Sequence, residues 1–231
     1  MINIALFCEG ASEVNILTHI IEKYLGSDNV NVNALQPTLK DGKQLGFGGW
    51  HEVLSHCNDT DVEKAFEQND CLVIQIDSDA SHQKGYDAIT DQEKRMGIDD
   101  ATHYLKIEAR LKQNLTSNIL AKYGEKIFFA ICFNETECWL IPLFYEHDEK
   151  KCCSTTNCIF VLNQGIPDKI GHIPDKDKNS PTAIATYRSI LKKLKAKNIP
   201  TVAKYNYGFK KFIEQLDVLK KALQPNQNDD S

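Results

Sequence analysis

The chain has 231 residues, 42% of them apolar, and carries a formal charge of −5. That length and apolar share can bury a sizeable core in one domain, or in one domain plus an appendage. No apolar stretch approaches the roughly 20 residues of a membrane helix, and the N-terminus enters a strand with neither a basic leader nor a cleavage site. A cytoplasmic globular protein without membrane association is expected.

Residues 1–7 (MINIALF) form a short apolar run that stops at Cys8-Glu9-Gly10-Ala11-Ser12-Glu13. Val14, Leu17, Ile21 and Leu25 then recur at helical spacing, which predicts strand, tight turn and helix. Gly10 permits the turn, Ser12 or Ala11 starts the helix, and Glu13 complements the macrodipole in its first turn. Residues 30–35 are a candidate strand, GKQLGFGGW a flexible stretch, and Trp50 the anchor of the next helix. Residues 61–69 (DVEKAFEQN) read as a short amphipathic helix leading into the central strand.

Residues 71–80, CLVIQIDSDA, are the sharpest functional signal. Leu72, Val73, Ile74 and Ile76 suit a strand covered on both faces, as in a parallel sheet. Asp77 and Asp79 fall at its carboxyl end, the edge where open α/β sheets bind ligands, and two carboxylates there can hold a hard cation through oxygen. An Asp-rich turn bonding its own backbone explains the same residues. If the first strand lies parallel to this one, Glu9 faces the aspartates across the shared edge and Glu13 reaches the same pocket from one helical turn in. The hydrophilic loop that follows brings His82 and Lys84 near that edge.

Residues 99–123 predict one long crossover helix opened by Asp99-Asp100. Residues 126–133 (KIFFAICF) are a third apolar strand, ending in Asn134-Glu135-Thr136-Glu137. Glu135 or, better, Glu137 can join the carboxylates, although dipole compensation before a helix also accounts for both. The eight cysteines are scattered and read as reduced. Cys152, Cys153 and Cys158 with His147 and His172 have poor spacing for zinc.

A polar linker at residues 173–180 precedes an inversion of charge. Residues 181–231 hold 10 Lys and Arg against 4 Asp and Glu, a balance of +6, so the chain before them carries −11. Two helices are expected there, one with Ile184, Tyr187, Leu191 and Leu194 as its apolar stripe, the other with Phe209, Phe212, Leu216, Leu219 and Leu223. Lys84, Arg188, Lys192, Lys193, Lys195, Lys204, Lys210 and Lys211 are candidate nucleic-acid contacts, with Tyr205 and Tyr207 able to stack on bases. Lysines that merely solubilise a helix and tyrosines that pack give the same pattern.

An apolar strand running into EGxSE and a helix, followed by an apolar strand ending in DxD, resembles the TOPRIM fold of topoisomerases, primases and OLD-type nucleases. The later ETECW segment and the C-terminal helix resemble a group of small bacterial stand-alone TOPRIM proteins allied to the RloB and OLD proteins. The resemblance implies an α/β, Rossmann-like, mostly parallel sheet flanked by helices over residues 1–145. A Cys-containing connector (146–180), a basic helical extension (181–224) and a disordered tail (225–231) complete the expected organisation.

By the same resemblance, Glu9, Asp77 and Asp79 are catalytic, and Glu9, Glu13, Asp77 and Asp79 hold Mg²⁺ or Mn²⁺; Glu137 joins that metal set by its place at the end of the third strand. No lysine aligns with the one OLD-type sites use, and Lys84 is the positional candidate. The implied activity is phosphodiester cleavage in DNA or RNA, in defence against phage or mobile DNA and with a partner ATPase, since the chain has no GxxxxGK[ST] loop. Two alternatives are a non-catalytic TOPRIM subunit binding nucleic acid or a partner, and a DxD metal-dependent sugar-nucleotide transferase, in which Glu9 and Glu13 would have no task.

Overall fold

In a computed structural model, residues 1–174 and 177–223 are described. The chain runs β1 (Ile2–Phe7), α1 (Ala11–Leu25), β2 (Val30–Gln36), β3 (Thr38–Lys40), β4 (Lys43–Leu45), α2 (Trp50–His56), α3 (Asp59–Gln68) and β5 (Cys71–Asp77). It continues through α4 (Asp91–Met96), α5 (Asp100–Lys112), α6 (Ser117–Tyr123) and β6 (Ile127–Cys132). A 3-10 segment at Thr136–Leu143 follows, then α7 (Glu149–Cys152), α8 (Cys158–Gly165), α9 (Pro181–Leu191), α10 (Ile199–Ala203) and α11 (Tyr207–Leu223).

The protein is α/β, with β2, β1, β5 and β6 hydrogen-bonded in that order as one parallel sheet. Both faces are covered, so the strands are apolar throughout and their alternation sorts side chains between two cores. Ile4, Leu6, Val73, Phe128 and Ala130 face α1, α9, α11 and the 3-10 segment, where Trp139 stacks on Phe209 at 4.5 Å. Ala5, Phe7, Leu72, Ile74 and Phe129 face α2, α3 and α5. The chain steps from β1 to β2 on one side and returns to β5 on the other. The crevice between the carboxyl ends of β1 and β5 is therefore the topological switch point. No helix among the described residues is long and apolar enough to cross a membrane.

Several local expectations change. The stretch 99–123 is two helices, because Thr116 caps α6 by accepting from the Ile119 N–H while its own N–H donates to Asp59. The segment read as flexible contributes β4, paired antiparallel with β3. The connector and extension are part of the fold: Cys158 and Leu162 of α8, and the stripes of α9 and α11, are buried with the strands in one core. The 3-10 segment packs on α8 and brings the Cα atoms of Cys138 and Cys158 within 5.0 Å, and the two are disulfide-bonded. The expectation of reduced cysteines is corrected for that pair. The 225–231 tail and two linker positions, Asp175 and Lys176, lie outside the described residues.

Candidate functional site

At the switch point the β1 and β5 ends are tied by backbone and side chain together. Glu9 Oε1 accepts the Asp77 N–H at 2.7 Å, and the Glu9 N–H donates to Gln75 Oε1 at 3.0 Å. Gln75 is fully buried on the same face of β5 as Asp77, and its Nε2 donates to Asp77 Oδ1 at 2.9 Å. The Thr136 hydroxyl donates to that oxygen as well, also at 2.9 Å, which brings the end of β6 into the network. These donors fix the Asp77 carboxylate before any ligand arrives.

Glu13 and Glu137 complete the inner set, both with no solvent exposure. Between them lies the ammonium of Lys178, 2.8 Å from Glu13 Oε1, 3.6 Å from Glu137 Oε1 and 3.7 Å from Asp77 Oδ2. The Tyr187 hydroxyl of α9 donates a very short hydrogen bond to Glu137. Asn179 Oδ1 accepts from the backbone N–H of Ser12 at 2.9 Å and from its hydroxyl at 3.0 Å, which pins the Lys178 segment to the start of α1. Gly10 has extended backbone, so its task is not a left-handed turn. A Cβ there would stand 2.6 Å from Glu13 Oε2 and 2.9 Å from the Asn179 side chain. Only glycine leaves room for both.

The charges are strongly coupled. Burial pushes the Glu9 carboxyl up to about 8; the Asp77 N–H and Lys178 oppose that rise, while Glu13 and Asp79 add to it. Asp77 is raised well above the carboxylate range by burial, with Glu9, Glu13 and Glu137 adding to the shift against Lys178. Burial also works against ionised Glu13, but the adjacent Lys178 outweighs it and holds that carboxyl below its ordinary value. Lys178 is likewise held above its own: burial favours the neutral amine, and Glu13, Glu137 and Asp77 overcome it. One ammonium thus leaves Glu9 and Asp77 short of compensating charge.

An open cavity of about 480 Å³ reaches this cluster from solvent, lined in part by Glu9, Asp77, Asp79, Glu135 and Lys178. Of the residues expected here, Glu9, Glu13, Asp77 and Glu137 come together. Asp79 lines the cavity, but its Oδ1 accepts the Ala80 N–H at 2.7 Å, the self-bonded turn that an Asp-rich strand end also predicts. Lys84 is exposed and outside the lining, which corrects its candidacy as the site lysine: Lys178, from the segment before α9, is the lysine that meets the carboxylates. His82 lines a different cavity. Tyr207 is engaged edge-on with Tyr104 and Phe133, and Lys211 pairs with Glu214, so neither is held ready for a base or a phosphate.

Sequence reasoning missed Gln75, Thr136, Lys178, Asn179 and Tyr187. Gln75 did leave a signal, as the polar residue inside an otherwise apolar strand. Lys178 left none, because DKDKNS has the composition of any solvated linker. Neither a family model nor a curated protein nor a solved structure matches the chain.

Proposed function

We propose that this protein is a nuclease that hydrolyses phosphodiester bonds in DNA or RNA with the help of Mg²⁺ or Mn²⁺. The observation carrying the reading is the convergence of Glu9, Glu13, Asp77 and Glu137 at the switch point of a parallel sheet, where Glu9, Asp77 and Asp79 line a solvent-reached cavity. The donors are all hard oxygens, the kind Mg²⁺ takes. Glu137 Oε2 is buried with no hydrogen-bond partner among the described residues, and burial plus mutual repulsion leaves Glu9 and Asp77 reluctant to ionise. With Lys178 seated in their midst, no three His, Cys, Asp or Glu side chains among the described residues close into a metal-holding group. A divalent ion at this site would be held by Glu9, Glu13, Asp77, Asp79 and Glu137.

When bound, such an ion polarises a phosphate oxygen and makes water a better nucleophile. The chain supplies the rest. Glu9 lines the cavity with its Oε1 held by the Asp77 N–H, which places its carboxylate, when ionised, to accept a proton from an attacking water. The Lys178 ammonium lines the cavity and offers N–H donors to a phosphate entering it. Gln75 and Thr136 keep Asp77 aimed at the crevice. A role in defence against phage or mobile DNA, with a partner ATPase, rests on the TOPRIM and OLD-type resemblance alone.

The test pairs binding with turnover. Mg²⁺ or Mn²⁺ at saturation should raise the thermal midpoint of the wild type, and Asp77→Asn should abolish the response. Incubated with single- and double-stranded DNA and RNA in either metal, the wild type should cut at least one of them, and Glu9→Gln, which keeps the side chain's shape, should reduce that cutting by about 10²–10⁴-fold. An unchanged midpoint together with no cutting overturns the proposal. Nucleic-acid binding without cleavage would favour the non-catalytic subunit, and metal-dependent binding of a sugar nucleotide alone the transferase.

A further inference from the structure

A groove of about 770 Å³ runs between α1 and α9, with Gly42 and Leu39 of the β3–β4 hairpin on its third side. Its floor is apolar, from Val14, Leu191 and Leu194, and its rim carries Lys23, Arg188, Lys192 and Lys195. α1 and α9 leave the carboxylate cluster side by side. Ser12 is bonded to Asn179, Asn15 one turn on accepts from Arg188 Nε at 3.1 Å, and His19 a turn further meets the Leu194 carbonyl at 2.8 Å. The groove therefore begins about one helical turn from Glu13. A second cleft of about 390 Å³ shares Lys192 and Lys195 with it and adds Lys193, Lys197 and Tyr205.

The charge of this surface is unopposed. Residues 181–213 contain eight Lys and Arg and no Asp or Glu. Among the described residues, no carboxylate lies within ion-pair distance of Arg188, Lys192 or Lys195, and Glu22 is the one carboxylate in the groove lining. Apart from Glu22, the acids nearest the groove are at its other end, in the cluster that would do the chemistry.

We infer that this groove binds a single nucleic-acid strand, phosphates on Arg188, Lys192 and Lys195 and base faces against the apolar floor, and feeds it toward the carboxylate cavity. The occupant follows from shape and charge together: a concave channel with an apolar floor suits one strand with exposed bases, whereas a duplex offers only its phosphate-lined exterior. Tyr205 lines the adjoining cleft, with the Lys204 ammonium 4.6 Å from its ring centre. The identity of the occupant rests on the nuclease reading, while its binding does not require catalysis.

The experiment uses the full chain in EDTA, with fluorescein-labelled single-stranded DNA and RNA 12-mers and a DNA duplex as probes, followed by anisotropy from low to moderate salt. Wild type should bind either single strand more tightly than the duplex. Lys192→Glu with Lys195→Glu should weaken binding at least tenfold, and Lys192→Ala with Lys195→Ala should make the plot of log affinity against log salt shallower by about 0.7 for each phosphate no longer neutralised. Lys64→Glu with Lys122→Glu, on the other face of the sheet, should stay within twofold of wild type. No binding by folded wild type, a preference for duplex, or equal losses in both sets of variants overturns the groove. Undiminished cleavage by the Lys192 and Lys195 variants would also overturn it and leave the nuclease reading standing. Groove-dependent binding with no cleavage in Mg²⁺ or Mn²⁺ would support the groove and remove the nuclease.

Discussion

Lys178 shows how one side chain can set the charge state of a whole site. Its ammonium compensates Glu13, Asp77 and Glu137, and removing one partner of a buried ion pair ordinarily costs about 3–5 kcal/mol. The Lys178 side chain is 26% exposed, and solvent screening brings the expected cost of Lys178→Met down to about 2 kcal/mol. Its pH dependence has a definite sign. In the wild type the Glu13 carboxyl sits below its ordinary value, so its contribution is present above the unfolded pKa and is lost as pH falls. Without Lys178 the same carboxyl joins Asp77 in being raised by burial, and the variant loses stability as pH rises. The gap in thermal midpoint between wild type and Lys178→Met should therefore be widest near pH 8 and narrow toward pH 5. Mg²⁺ should reduce the gap at pH 8 if the cluster accepts a divalent cation. A gap independent of pH would mean that Lys178 contributes packing and not charge.

Among the elements, α11 does more than shield apolar surface. β6 is an edge strand, and an edge with free backbone groups invites pairing with another chain. Gln215 closes it: its Oε1 accepts the Phe129 N–H at 2.8 Å, and its Nε2 donates to the Phe129 carbonyl at 3.0 Å. At the start of α11, Gly208 is pressed against the Ile131 carbonyl so closely that a Cβ would overlap it. Gly208→Ala should push the helix off the strand and cost about 1–3 kcal/mol, the usual range for overpacking. Chemical denaturation would measure the loss, and hydrogen exchange at Phe129 and Ile131 should rise with it. Stability unchanged within a few tenths of a kcal/mol would show that the helix end can shift freely.

Across the molecule, the basic C-terminal region and the acidic core cannot be treated as separable parts. Ile184, Tyr187, Phe209, Phe212 and Leu216 are buried with Ile4, Leu6, Val73 and Trp139 in one core. Tyr187 also reaches Glu137, and the residues just before α9 hold Ser12 and Glu13. Truncation after residue 180 should thus fail to give a core domain that can be assayed alone. It would strip α9 and α11 from the face of the sheet that they cover together with α1 and the 3-10 segment, and the expected product is an aggregating or non-cooperative species by calorimetry. A cooperative transition in that truncated chain would restore the picture of an independent extension.

Much of the architecture can be read from the chain. The short apolar runs at 71–76, broken only by Gln75, and at 127–133 suit strands covered on both sides, and such strands pair in parallel with helical crossovers. That pattern already puts Glu9, Asp77 and the Glu135–Glu137 turn on one edge, because carboxyl ends of parallel strands share an edge. What the pattern cannot carry is a contact between residues 165 or more positions apart made by a stretch without periodicity. Lys178 meets Glu13, and Asn179 meets Ser12, only because the apolar stripe of α9 docks beside α1 and carries the preceding turn over the crevice. The place of Asp79, likewise, hangs on which neighbour its carboxylate finds first, and the nearest is its own chain's next N–H. Local chemistry sets strands, helix starts and the acidic edge; the partner of each buried charge is chosen by docking of distant elements, whose energy is spread over many apolar contacts that leave no motif.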